Sequence, residues 1–371
     1  MDHPATCEQL EILSAVDFIV PIKKIGLITR AVLEAIYLFY RPRRIIVITA
    51  KKEGEILGKI GRYWNLKNLE IVFEEDFFKP NFGLTLEEII NEYDANRKGD
   101  QREAGWWIQQ LIKLGASTQI DKISPTYIVW DGDLVPTRRW KLCDYNQDGD
   151  VEFYVAILQS EAKSVFNSTQ YAACMEALTG MTPVEPIGGG TFVSHHMTFN
   201  KMRVLELLNL ISNTTGCDNL PWPKLIMSYS KKFYRFSEYK TYASFMSRNY
   251  PSEFKYHPLP IFGAGGLRFR EANQIMDQLV EKCSIINGGI PYDDIKLFFE
   301  ESWYLLPGAD QDIIPAYIQL DHVYGLEGID LNIESQVSTH SANQKERECN
   351  LPSHSPASVM DLFPIETATT F

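Results

Sequence analysis

Aspartates one residue apart are the first candidates for chemistry, and the chain holds three such Asp-x-Asp pairs: Asp131/Asp133, Asp148/Asp150 and Asp310/Asp312. Only Asp131-Gly132-Asp133 directly follows an apolar, strand-like run, Tyr127-Ile128-Val129-Trp130. In an open α/β sheet, ligands bind in the crevice beyond the carboxyl ends of the strands. Two carboxylates placed there can hold a hard divalent cation, Mn²⁺ or Mg²⁺, and leave coordination positions for phosphate oxygens and water. Such a cation neutralises a diphosphate leaving group as its bond to carbon breaks. The bland alternative is a strand-end turn with two solvated acids.

The histidine pair His195-His196 lies in a strand-like stretch, Thr191 to Phe199, that follows the loop Gly188-Gly189-Gly190. Three glycines in a row let the backbone bend freely or approach something closely. On an alternating strand, neighbouring side chains point to opposite faces, so at most one of the two histidines faces a cleft. That histidine can complete a metal shell or meet a diphosphate oxygen. His196 is carried as the metal-site member, with His195 equally open and His257 and His322 as rivals. Asp144 to Glu152 imitates the start of an EF-hand loop, but its twelfth position is Val155 where a bidentate Glu is required. A hairpin turn at Asp148-Gly149 accounts for it better.

The elements that must position these groups follow a strand-then-helix rhythm. Val16 to Val20, Ile45 to Thr49, Leu69 to Phe73 and Tyr127 to Trp130 read as strands, and Ile25 to Tyr40, Glu53 to Tyr63, Leu84 to Tyr93 and Glu103 to Leu114 read as helices. This predicts an α/β fold with a mostly parallel central sheet covered on both faces. Further along, Glu152 to Leu158 reads as a strand, and Glu161 to Leu178 and Lys201 to Ile211 as helices. Ser237 can cap a helix whose first turn holds Glu238, where the helix dipole favours a negative charge. Arg270 to Ile285 and Tyr292 to Leu305 read as helical additions, and the polar stretch 334–371 as a disordered tail.

Composition narrows the class. With 45% apolar and 23% charged residues, the 371-residue chain has the make-up of a water-soluble globular protein. Forty-eight acids against 36 bases give a formal charge of -12, which argues against nucleic acid as a partner. The six cysteines are scattered without a C-x-x-C pair, as buried or idle thiols in a reducing compartment would be. No apolar run reaches the ~20 residues of a membrane span. Met1 to Ser14 has no basic cluster ahead of an apolar stretch, so a cytoplasmic protein is expected.

Several segments in order carry a resemblance. Asp17-Phe18-Ile19-Val20-Pro21, Ile45-Ile46-Val47-Ile48-Thr49, Gly105-Trp106-Trp107 running to Leu114, and Val129-Trp130-Asp131-Gly132-Asp133 together resemble a glycosyltransferase of the GT-A fold. More narrowly, the chain is similar to a poorly characterised glycosyltransferase-like family that also carries motifs like Phe192-Val193-Ser194-His195-His196-Met197 and Phe236-Ser237-Glu238-Tyr239-Lys240-Thr241-Tyr242. The resemblance covers residues 15–266, with 267–333 as a helical extension packed on that domain. It implies a nucleotide-sugar donor, a divalent metal on Asp131 and Asp133, and transfer of a sugar to a hydroxyl of a glycan or other acceptor.

On that resemblance Asp133 is the direct metal ligand, and Asp131 either shares the metal or contacts the donor. Glu238 stands where GT-A enzymes often keep an acceptor-activating carboxylate; its bland reading is a charge at a helix N-terminus. Gln110 and Lys113 are placed near the donor, against the plain reading of an amphipathic helix, and Gly189 offers backbone to the sugar. A nucleotidyltransferase with a related core resembles a family with a Gly-rich, Arg-containing loop after its first strand, which Pro21-Ile22-Lys23-Lys24 does not match. The competing function is a catalytically silent GT-A-like module that binds a glycan or nucleotide sugar.

Overall fold

The computed structural model describes residues 7–64, 66–96, 101–137, 139–157, 165–187, 190–216, 220–230, 235–257, 270–302 and 317–319. The first half is built as α1 (Cys7–Leu13), β1 (Asp17–Pro21), α2 (Thr29–Tyr40), β2 (Arg44–Thr49), α3 (Lys51–Ile60), β3 (Leu69–Phe73), α4 (Lys79–Phe82), α5 (Leu86–Asn96), α6 (Gln101–Gln119) and β4 (Thr126–Trp130). Then follow β5 (Leu134–Pro136), β6 (Cys143–Tyr145), β7 (Val151–Ile157), α7 (Val165–Thr179), β8 (His196–Asn200), α8 (Lys201–Thr215), α9 (Trp222–Ser228), α10 (Glu238–Asn249), β9 (Lys255–His257), α11 (Arg270–Lys282), α12 (Tyr292–Ser302) and β10 (Tyr317–Gln319).

The central sheet has the order β3-β2-β1-β4-β8. Its first four strands run parallel and β8 pairs antiparallel with β4. The mostly parallel, helix-flanked sheet expected from the β-branched runs is therefore present. Every residue of β1 is buried, as parallel strands covered on both faces require. Burial at the start of β1 includes a charge. Asp17 accepts hydrogen bonds from Arg43 at 2.8 Å, from Arg44 at 2.8 Å and from the Ser124 backbone at 2.9 Å, which pins the starts of β1, β2 and β4 together.

A smaller sheet, β6-β7-β9, stands beside the main one, and β5 pairs antiparallel with β10. The β6–β7 turn carries Gly149 at φ +84, and the Asn146 side chain accepts from the backbones of Asp148 and Asp150. The EF-hand-like acids thus frame an Asx-type hairpin turn. Of the C-terminal helices, α12 packs on α2, where Glu34 accepts from the Tyr292 backbone at 2.9 Å and Phe39 meets the Tyr292 ring edge-on. Residues 334–371, expected to be a tail, lie outside the described residues.

One strand differs from expectation. The run Thr191 to Phe199 becomes a strand only from His196, because His195 takes a left-handed backbone at φ 58. A non-glycine residue there interrupts strand alternation.

Candidate active site

The order in which strands are added to the sheet reverses between β1 and β4, the switch point at which α/β sheets open a crevice. The loop after β1, Pro21 to Lys24, and the loop after β4, Asp131 to Asp133, form two walls of a cleft of about 580 Å³ there. Gly132 is required by their approach: a Cβ on it would lie 2.6 Å from Ile22 Cγ1 and 2.9 Å from the Pro21 carbonyl oxygen. Helix α6 contributes Gln110 and Lys113, one turn apart on one face. The N-terminus of α10 supplies Glu238 and Tyr239, held there by Ser237, whose hydroxyl accepts from the Lys240 backbone at 3.2 Å.

These side chains form one contact network. The Lys113 ammonium, 2% exposed, donates to Asp131 Oδ1 at 2.7 Å and to Glu238 Oε1 at 2.8 Å. The Tyr239 hydroxyl donates to the same Asp131 oxygen at 2.9 Å, and Lys113 lies 4.4 Å from the Tyr239 ring centroid. His195 Nδ1 stands 3.0 Å from Asp131 Oδ2, and its carbonyl accepts from the Asp131 backbone at 2.9 Å. The Gln110 amide, with its NH₂ toward the carboxylate, donates to Glu238.

Charge follows from these contacts. Burial would raise the Asp131 pKa, but the Lys113 ammonium and His195 outweigh it and hold the carboxyl well below the usual range. Burial likewise pushes Glu238 up; Lys113 offsets part of this while the Asp131 charge adds to it, and the net shift is upward. Burial would lower Lys113, but its two carboxylates raise it, so it stays an ammonium. For His195, burial acts downward and the Asp131 bond acts upward and prevails. The cleft therefore holds an aspartate whose carboxyl is shifted down beside a glutamate whose carboxyl is shifted up.

The histidine that reaches Asp131 is His195 rather than His196. His196 opens β8 and is 2% exposed; its Nδ1 is 2.9 Å from the Ser194 carbonyl, and its ring packs 4.8 Å from Trp140 and 5.6 Å from Trp130. The left-handed turn at His195 swings that side chain to the cleft. His257 stacks on Tyr154 at 3.8 Å with Nε2 on the Lys141 carbonyl, and it does not line the cleft. His322 and Gly189 lie outside the described residues. Asp133, half-buried, lines the cleft.

Among the described residues, no three His, Cys, Asp or Glu side chains gather as a preformed metal site. Asp131 Oδ1 already accepts two hydrogen bonds, as many as its lone pairs allow. Asp133 also lines the cleft, and Mg²⁺ sites are commonly made of one or two carboxylates completed by phosphates and water.

A family model for proteins of unknown function, DUF6492, matches residues 16–258. The chain belongs to this family. The DUF6492 match takes in β1, β4, the cleft loops and the Glu238 helix. No curated protein sequence matches the chain. Among solved structures, it is similar to mouse xyloside xylosyltransferase 1 in its apo form, at 12% identity and TM-score 0.38, over 72% of this chain and 93% of that one. It is also similar to the galactosyltransferase LgtC in complex with donor and acceptor sugar analogs, at 10% identity and TM-score 0.32, over 58% of this chain and 70% of that one. A third is 4-diphosphocytidyl-2C-methyl-D-erythritol synthase from Anaerococcus prevotii DSM 20548, at 10% identity and TM-score 0.26, over 58% and 84% of the two chains.

Proposed function

We propose that this chain is a glycosyltransferase of the GT-A type, moving a sugar from a nucleotide-sugar donor to an acceptor hydroxyl. The observation that carries this reading is the bridge from Lys113 to both Asp131 and Glu238 in the switch-point cleft. It fixes a proton-accepting carboxyl opposite the strand-end acids, where a donor diphosphate would lie.

In a direct displacement the acceptor oxygen bonds to the anomeric carbon as the bond from that carbon to the diphosphate oxygen breaks. The leaving diphosphate keeps the bonding electrons, and the hydroxyl proton passes to Glu238. Burial raises the pKa of Glu238, which makes it a stronger proton acceptor than a free carboxylate. Lys113 and Gln110 orient its carboxylate, and Asp131 in turn anchors Lys113 and His195. A divalent cation, Mn²⁺ or Mg²⁺, would be held by Asp133 and would offset the charge on the departing diphosphate.

One observation favours a binding module instead: Glu238 is 1% exposed, with Lys113 and Gln110 both on its carboxylate. Incubation with a panel of nucleotide sugars, with and without Mn²⁺, separates the two readings. Release of free nucleotide that depends on Mn²⁺ and is lost in Asp133→Asn is expected of the transferase. Binding of a nucleotide sugar with no turnover in the presence of varied acceptors would instead identify a module.

A further inference from the structure

Strand β3 is followed by three consecutive acids, Glu74, Glu75 and Asp76, on one 3₁₀ turn. Two of them have structural partners. Both oxygens of Glu75 accept from the Lys51 backbone at 2.9 Å, which caps α3, and Asp76 pairs with Lys79 at 3.6 Å. Glu74 makes no side-chain hydrogen bond or ion pair among the described residues; it lines a side cavity of about 290 Å³.

That cavity lies over the carboxyl ends of β1, β2 and β3 and shares Pro21, Ile22, Lys23, Trp106 and Gln109 with the main cleft. Its remaining walls are mostly apolar: Ile48, Leu86, Ile108 and Ile112. A carboxylate drawn partly out of water without a hydrogen bond is unfavourable, so a ligand that supplies donors there removes a penalty as well as adding a contact. Burial shows in Glu74 itself, whose pKa is pushed up by desolvation and by Glu75 while Lys23 opposes the rise. An apolar slot with one indole on its wall and one carboxylate suits a flat heterocycle that carries N–H groups.

Resting on the reading of the main cleft as a nucleotide-sugar site, we propose that this side cavity takes the donor's base and that Glu74 selects guanine. Guanine presents N1–H and the 2-amino group side by side, two parallel donors for the two oxygens of one carboxylate. The match is the same fork geometry that makes arginine–carboxylate pairs bidentate. Adenine and cytosine each offer one amino group beside an acceptor nitrogen. Uracil offers one N–H between two carbonyls, which would face the carboxylate lone pairs. Trp106 gives the base a face on which to stack. Lys23, on the wall of both cavities, lies where the diphosphate would pass between base and sugar.

Calorimetric titration of the full chain with GDP, IDP, UDP, CDP and ADP, each with Mg²⁺ present, tests this. GDP is expected to bind about tenfold or more tighter than UDP, CDP and ADP, as one bidentate base contact would give. IDP, which lacks the 2-amino group, should fall between. In Glu74→Gln the GDP advantage should vanish while UDP affinity stays as in the unsubstituted chain. A preference for UDP, CDP or ADP, or equal affinities, overturns the guanine assignment and leaves the nucleotide-sugar reading standing. A GDP preference that survives Glu74→Gln overturns the role of Glu74. If none of the five binds, both the inference and the reading beneath it fail.

Discussion

Lys113 and Asp131 sit 18 positions apart in the chain, yet the ammonium of one is 2.7 Å from the carboxylate of the other, both nearly sealed from solvent. Their pairing gives the strand-end acid a structural duty. Asp131 holds Lys113, and Lys113 holds Glu238.

Removing that cation should therefore be costly. Lys113→Met leaves two buried carboxylates facing each other, and stability at pH 7 is expected to fall by about 3–5 kcal/mol, the scale for breaking one side of a buried pair. Urea unfolding monitored by circular dichroism measures it. A loss under about 1 kcal/mol would mean the bridge is less desolvated than its burial implies.

Glu238→Gln keeps the side chain's size but removes its capacity to accept a proton. Once a donor and acceptor are known, kcat should drop about 10²–10⁴-fold with the donor KM nearly unchanged. If KM rises instead and kcat holds, Glu238 serves binding rather than proton transfer.

His196 predicts a pH dependence. Burial lowers its pKa from 6.5 to about 4, so the folded protein keeps the ring neutral where the unfolded chain would protonate it. The unfolded state binds the extra proton in that window. Stability from this residue is thus complete above about pH 6.5 and is lost as pH falls toward about 4, a swing of about 3 kcal/mol. Glu34 and Glu238, both raised by burial, act in the opposite sense as pH falls, so the variant comparison matters. Unfolding curves of the unsubstituted chain and His196→Phe should converge in stability as pH drops; a constant gap would show that His196 titrates normally.

Gly132→Ala places a methyl against Ile22 and the Pro21 carbonyl oxygen, a contact with backbone that no side-chain rotation relieves. Overpacking of this kind is expected to cost about 1–3 kcal/mol. The same shift parts the β1 and β4 loops, so nucleotide affinity should fall in calorimetry. Gly149→Ala, on an exposed turn, is the control: its strain comes from a positive φ with open space around it, and the cleft should be untouched.

The alternation of apolar strands and amphipathic helices was readable because β1 is buried end to end and β2 and β4 are buried after their first residue, which β-branched runs such as Ile45 to Thr49 advertise. The position of Asp131 was readable from the same pattern, since it directly follows such a run. Asp131, Gln110, Lys113 and Glu238 could be named from motifs, and the structure places them in one network. Which histidine joins them could not be read: the alternation rule presumes an unbroken strand, and the left-handed residue at His195 is a matter of tertiary fit. Glu74 was invisible for another reason. Three acids in a row look like a solvated turn, and only the partners of Glu75 and Asp76 reveal which of the three is left to the cavity.

Trp106 lies on the wall shared by the two cavities and is half-buried, whereas the other described indoles, Trp64, Trp107, Trp130, Trp140 and Trp222, are buried. Indole emission moves to shorter wavelength when water leaves the ring. A molecule settling in either cavity would dry this one indole and leave the buried ones as they are. The protein thus carries an optical gauge of occupancy in its own cleft, one that needs no label and no knowledge of the reaction.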